Sequence, residues 1–335
     1  MRKLIRSASL GLAATITLSG CGAKVTSDAK AAKSRSVTVA NCGEKVTYDR
    51  RPERVVTNDV GITELMFALG LEDHMAGYVM PADKGSLDGL PYRAAYDRAK
   101  WLSKDRITKE TALDARADLV FAGWNYGFNE NALTPDDLHK EGMDTYLLTE
   151  SCHNARTSTS RGIMPPLDAL YTDLENLGRI FGVEKRAQKL IKQYRATVAD
   201  VHAKAPKSAD RPSVFLYDSG QDQPFTSGRY AAPEQIISEA GGSNLLHDLK
   251  DSWTTVGWET VVKRNPDVIV INDYGSTSAE QKKEFLLSYP PLRNVSAIKH
   301  KRIYTLDYAD LVESPRNPSA IKRLGAYLRR VTGGS

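Results

Sequence analysis

The chain of 335 residues lacks any apolar run of the roughly 18 to 20 residues that a membrane-spanning helix requires. Its longest candidate, Leu10 to Leu18, has only the length of a signal-peptide core. A strong net charge on the body is also missing. Of the formal +5, residues 1–20 carry +3 through Arg2, Lys3 and Arg6. Residues 21–36 carry another +3, which leaves −1 from Val37 onward. A near-neutral body argues against nucleic-acid binding, which needs a basic face on the folded domain. Catalytic fingerprints are absent too: there is no G-x-S-x-G, Walker loop, H-E-x-x-H or G-x-G-x-x-G, and nothing pairs a nucleophile with a recognisable base. No Cys- or His-rich cluster offers a site for bare iron or zinc. The chain therefore reads as a non-enzyme, with a secreted α/β hydrolase as the remote alternative.

What is present is enough apolar material, 41% of residues, for about two folded domains. The N-terminus reads as an address. Arg2, Lys3 and Arg6 precede the apolar Leu10–Leu18 stretch, and Leu18-Ser19-Gly20-Cys21 resembles the lipobox of bacterial lipoproteins. That resemblance implies a signal peptide over 1–20, acylation of Cys21, and anchoring by lipid on the outer face of the cell membrane. Residues 21–36 are small, polar and basic, a flexible tether reaching on the order of 20 Å.

Three cysteines occur. With Cys21 lipidated, Cys42 and Cys152 remain as a pair, and in an exported protein a disulfide is the expected state. The rival reading sets Cys152 beside His153 as a catalytic or metal site, without a second ligand at metal spacing.

Short aliphatic runs alternate with helical patterns. Strands are expected at 54–57, 118–122, 145–148, 213–217, 267–271 and 302–306. Ile62, Leu65, Met66 and Leu69 form one helix face that Gly70 stops, and another helix lies near Pro233 to Ala240. Continuous aliphatic strands between helices imply parallel sheets covered on both faces. The fold class is thus α/β: two Rossmann-like lobes, residues 37–165 and 209–335, joined by a helical connection at 166–208. Within it, Leu167 to Phe181 keeps a helical period. A second helix opens at Glu184 and runs through Val201, a stiff strut of roughly 30 Å.

The halves echo one another. Glu110-Thr111-Ala112-Leu113 leads eight residues on to Asp118-Leu119-Val120-Phe121. Glu259-Thr260-Val261-Val262 leads eight residues on to Asp267-Val268-Ile269-Val270. Two like lobes on a strut enclose a cleft, the usual place for a ligand.

Several segments together resemble the substrate-binding lipoproteins of ABC importers for iron–siderophore, haem or vitamin B12. In the first lobe these are Pro52-Glu53-Arg54-Val55-Val56, Thr63-Glu64-Leu65 and Ala68-Leu69-Gly70. In the second they are Pro224-Phe225-Thr226-Ser227-Gly228, Gly241-Gly242-Ser243-Asn244, and Trp258-Glu259 through Pro266-Asp267-Val268-Ile269-Val270. The resemblance implies two lobes bridged by one long rigid helix, limited hinge motion, and a monomer that meets a permease dimer with its ATPase subunits. It implies that Glu110 and Glu259 dock into that dimer, one per subunit. Each Glu would also be favourable in the first turn of a helix for purely local reasons.

Cleft-lining residues are expected on loops at the carboxyl ends of strands. In the first lobe these are Asn58, Asp59, Tyr78, Trp101, Trp124, Asn125 and Tyr126. In the second they are Phe225, Arg229, Tyr230 and Trp253, with Tyr274 nearby. Aromatic walls suit a large, partly apolar ligand, although any one ring could equally be core. Arg229 would suit a carboxylate, hydroxamate or phosphate. His74, His139, His202 and His300 read as surface residues, and Met80 with Tyr78 leaves a haem option. The expected ligand is a whole metal chelate, with iron(III)–siderophore first and cobalamin or haem as alternatives. No resident cofactor or metal is expected.

Overall fold

The computed structural model describes residues 36–80, 92–124, 127–152 and 164–333. The expected signal peptide, Cys21, the tether, Asn125, Tyr126 and His153 lie outside the described residues.

The chain opens with a hairpin, β1 (Val37–Asn41) and β2 (Glu44–Tyr48), whose two turn residues Cys42 and Gly43 have φ of 50° and 82°. Positive φ at both central positions is the turn whose twist matches paired strands, and Gly supplies one of them without strain. The first lobe continues through β3 (Val55–Asn58), α1 (Val60–Ala68), β4 (Met75–Val79), α2 (Arg93–Arg98), β5 (Trp101–Ser103), α3 (Lys109–Asp114), β6 (Leu119–Ala122), α4 (Pro135–His139) and β7 (Asp144–Leu147). Its sheet has the order β5-β4-β3-β6-β7, all parallel. The strands β3 and β6 are buried along their full length, β6 through an unbroken apolar sequence and β3 with Thr57 and Asn58 buried beside its valines.

Cys42 and Cys152 form a disulfide with Cα atoms 5.4 Å apart. It ties the turn of the hairpin to the chain just after β7. Closing 110 residues of chain is worth about 4 to 5 kcal/mol in the loop-entropy account.

Two helices then bridge the lobes. The helix α5 (Pro166–Phe181) starts with Pro at its first position and ends at Gly182, whose φ of 74° closes it. The helix α6 (Glu184–His202) is about 28 Å long at 1.5 Å per residue. At the start of α5, the Leu167 N–H donates to Gln235 of the second lobe at 2.8 Å. Further along α5, Asn176 donates to the Ala40 carbonyl of the first lobe at 2.8 Å. The strut α6 runs back the other way. Arg186 donates to Ala68 in the first lobe, and His202 meets Glu239 in the second, both at 3.0 Å. The bridge is therefore the expected rod plus a more deeply buried antiparallel partner.

The second lobe comprises β8 (Ser213–Tyr217), β9 (Phe225–Ser227), α7 (Ala232–Glu239), β10 (Ser243–Asn244), β11 (Trp253–Thr255), α8 (Trp258–Arg264), β12 (Val268–Asp273), α9 (Ala279–Ser288), α10 (Ser296–Lys299), β13 (Ile303–Asp307) and α11 (Asn317–Thr332). Its parallel sheet has the order β10-β8-β12-β13, and β9 with β11 forms a separate antiparallel ribbon. One apolar cluster runs from Val55 and Leu119 through Leu170 and Leu174 of α5 to Val214 and Ile321, so the lobes share a core at the back. No described helix is long and apolar enough to cross a membrane.

Candidate functional site

The lobes face each other through the carboxyl ends of their sheets, and three polar links close the seam. Asp59 follows β3 with φ 92° and caps α1. Its carboxylate accepts the Val60 N–H at 2.5 Å and, from the other lobe, the Tyr308 hydroxyl at 2.7 Å. Tyr308 stacks on Tyr274 at 4.8 Å.

The second link is a buried ion pair. Every residue of α1 is buried, including Glu64. Arg316 grips that carboxylate with two N–H groups, at 2.7 and 2.5 Å, and the pair is 6% and 0% exposed. Burial pushes the Glu64 carboxyl up, while Arg316 and the Tyr96 hydroxyl pull it back. A charge this deep persists only with such a partner.

The third link is reciprocal. The Glu150 N–H donates to the Glu313 carboxyl at 2.9 Å, and the Glu313 N–H donates to the Glu150 carboxyl at 2.6 Å. Asp173 of α5 lies beside them and accepts from the Tyr146 hydroxyl at 2.6 Å and the Thr149 N–H at 2.9 Å, as well as the Thr149 hydroxyl. Burial lifts Glu150 to about 8 and pushes Glu313 well up, helped by the charge on Asp173. One oxygen on each glutamate receives no hydrogen bond from an N–H or hydroxyl donor. Burial thus favours the protonated form of both glutamates. Burial pushes the Asp173 carboxyl up as well, while the Thr149 and Tyr146 donors pull it back.

Some residues expected to line the cleft are spent on this seam or the interior. Asp59 serves the link just described. Asn58 is 1% exposed and accepts the Ile107 N–H at 3.3 Å. Tyr78 is 4% exposed and packs edge-on against Tyr96 at 5.4 Å. Strand-end position was read correctly for these residues, but their side chains turn inward. Met80 is equally buried, so neither Met80 nor Tyr78 presents a donor atom outward. His74 is half-buried rather than on the surface, packed on Phe181 and bonded to the Pro52 carbonyl.

Other residues stay partly open. Trp101, 40% exposed, stacks on Tyr78 at 6.1 Å and donates its indole N–H to the Met80 carbonyl at 2.9 Å. Lys104 lies 5.1 Å over its ring. Trp124, with φ 56°, is half-buried, and its indole N–H is buried without a partner. In the second lobe Phe225 and Trp253 stack at 6.0 Å across the β9–β11 ribbon, both half-buried. Arg229 is exposed, and with Tyr230 it lines a hollow of about 440 Å³ shared with α7 and the start of α5. The structure thus pairs Trp101 with Tyr78 and Phe225 with Trp253, one aromatic pair per lobe. No group of three or more His, Cys, Asp or Glu able to hold a metal occurs among the described residues.

The helices α3 and α8 occupy equivalent places. α3 leads into β6, which pairs with β3, and α8 leads into β12, which pairs with β8. The Asp118 N–H donates to the Arg54 carbonyl and its carboxylate accepts the Arg54 N–H; the Asp267 N–H and carboxylate serve Ser213 in the same way. The internal echo is therefore structural. Glu110 and Glu259 are both exposed in the first turns of these helices. The Glu110 N–H and the Thr108 hydroxyl hold the Glu110 carboxyl below the usual range. The Glu259 carboxylate folds over Gly257, where a Cβ would lie 2.0 Å from its oxygen.

A family profile described as periplasmic binding protein matches residues 55–309. The chain belongs to that family. A periplasmic binding protein from Veillonella parvula superposes with a TM-score of 0.75 at 27% identity, over 88% of this chain and 97% of that one. In sequence, the chain is 24% identical over 323 residues to YvrC of Bacillus subtilis, an uncharacterised ABC transporter substrate-binding lipoprotein, covering 93% of each. It is 25% identical over 221 residues to a vitamin B12-binding protein of Yersinia pestis, covering 66% of this chain and 69% of that one. This periplasmic binding protein thus has, among its relatives in sequence, a substrate-binding lipoprotein of an ABC transporter and a vitamin B12-binding protein.

The seam residues Glu64, Arg316, Glu150, Asp173 and Glu313 escape a reading of sequence alone. The available signal was Glu64 itself, an acid next to the apolar Leu65–Ala68 run, which requires a distant cation when buried.

Proposed function

We propose that this protein captures a bulky metal chelate between its lobes and delivers it to an importer permease. The first reading of the ligand is an iron(III)–siderophore. The observation that carries it is the partly open aromatic surface on both lobes, Trp101 in one and Phe225 with Trp253 in the other, beyond a seam that consumes the neighbouring polar groups. Flat rings give large contact area with few torsions to freeze. The exposed Arg229 adds a fork for an anionic hydroxamate or carboxylate arm. A corrinoid is the second reading, favoured by the likeness to vitamin B12-binding proteins. Acylation of Cys21 would hold the protein outside the cell membrane. Glu110 and Glu259 would set its register on a permease dimer whose ATPase subunits drive transport.

Calorimetric titration tests the ligand class. Ferric desferrioxamine, ferric enterobactin, haemin and cyanocobalamin should include one that binds one per chain, micromolar or tighter, and is recovered intact. If none binds, the class is wrong; if a siderophore ester is hydrolysed, the protein is an enzyme.

A further inference from the structure

The two copies of the echo agree in more than their glutamates. In Glu110-Thr111-Ala112-Leu113 the side chains run exposed, half-buried, buried, exposed; Glu259-Thr260-Val261-Val262 repeats that order position by position. Ala112 and Val261, both 0% exposed, are fixed by packing. Leu113 and Val262 are not. They are 43% and 37% exposed, and they make up two of the four large apolar side chains left exposed among the described residues. Each lies three residues after its glutamate, on the same helix face. Neither glutamate has an ion-pair partner among the described residues; Lys109, next to Glu110, is taken by Glu141 at 3.4 Å.

Folding explains why the buried position recurs. One exposed aliphatic is ordinary on any surface; what folding does not require is that the same solvated position be apolar in both copies of the echo. A partner that reads both copies does explain it. Two like patches on one chain match a partner built from two like subunits, each offering a cation beside an apolar surface.

We infer that Leu113 and Val262 are the apolar halves of two equivalent contact patches, each completed by the neighbouring glutamate, for a two-fold membrane partner. This rests on the docking role proposed above for Glu110 and Glu259, and adds the source of affinity to it. The glutamates set approach and register, while the apolar residues slow release.

The test measures binding of the full lipidated chain to the cognate permease–ATPase complex in lipid nanodiscs. Leu113→Ser and Val262→Ser should each weaken binding about five- to tenfold, and together by roughly the product, as expected for losing a buried aliphatic contact at each site. The loss should lie in faster dissociation and persist at high salt. Glu110→Gln with Glu259→Gln should instead slow association and flatten its salt dependence. All variants should keep the wild-type thermal midpoint and chelate affinity, because the altered residues are exposed. Wild-type binding by the Leu113→Ser/Val262→Ser protein, with loss in the glutamate variant, overturns the inference and leaves docking intact. An effect at only one of the two apolar positions overturns the two-fold part. Wild-type binding by the glutamate variant overturns the docking role itself, which the apolar variants then test separately.

Discussion

Arg316→Met should lower the free energy of unfolding by about 3 to 5 kcal/mol and the thermal midpoint by about 5 to 10 °C. The methionine removes the only ion-pair partner that the described residues give Glu64, and leaves a carboxylate that is 0% exposed to ionise alone or bind a proton. Tyr96, 3.3 Å away, offers one neutral hydrogen bond and cannot replace a guanidinium fork. The cost should belong to the stranded charge rather than to the lost contact. Arg316→Met combined with Glu64→Gln should therefore recover most of the loss, since the pair then leaves no buried charge. Urea unfolding of the three variants measures both effects. A single variant within 1 kcal/mol of wild type would show that the pair does not hold the lobes.

The second large effect is a dependence on pH. Glu150 titrates near 8 in the folded chain and close to 4.5 when exposed. Between those values the folded protein keeps a proton that the unfolded chain has released. Raising the pH therefore favours unfolding, with stability falling from about pH 4.5 to about 8 and levelling above. Glu313 is pushed up in the same direction, so the two act together. The loss is on the order of 4 kcal/mol for a shift of this size. The cluster faces Asp59 and Asp173 and no described cation, so nothing nearby absorbs the new charge. Glu150→Gln and Glu313→Gln copy the neutral acid in shape. Their advantage over wild type should be small at pH 5 and grow steadily to pH 8.5 in denaturant unfolding. A difference that does not change with pH would contradict the raised Glu150 carboxyl.

Both effects lie where the sequence was least legible, and the reason is physical. The strands at Val55, Leu119, Val214 and Val268 announce themselves, because a sheet buried on both faces needs unbroken aliphatic runs. The bridging helices announce themselves by period, and the echo located α3 and α8 in matching places. The β9–β11 ribbon and β5 are three residues each, too short to carry a period. The seam joins residues 163 to 252 positions apart, and no local pattern encodes such pairs. The expected cleft residues divide on the same ground. Trp101, Phe225 and Trp253 are partly open, but each is the first residue of a three-residue strand rather than a loop residue at a strand's carboxyl end. Side-chain direction is not readable, so Asn58 and Tyr78 were placed in the cleft although their side chains are buried, and Asp59 although its carboxylate is taken by Tyr308 across the seam.

Capture between two lobes makes a demand that capture on one lobe does not: the ligand must approach both walls at once. Under the proposed function Trp101 and Trp253 would report on them separately, beside half-buried Trp124 of the first lobe, while Trp258, 5% exposed in the second-lobe core, supplies a constant background. Titration of the bound chelate against tryptophan emission in wild type, Trp101→Phe and Trp253→Phe gives the decisive comparison. Each variant should lose part of the quenching and retain the rest, with one site per chain in all three. Quenching that vanishes in one variant and is complete in the other would place the ligand on a single lobe and contradict this account.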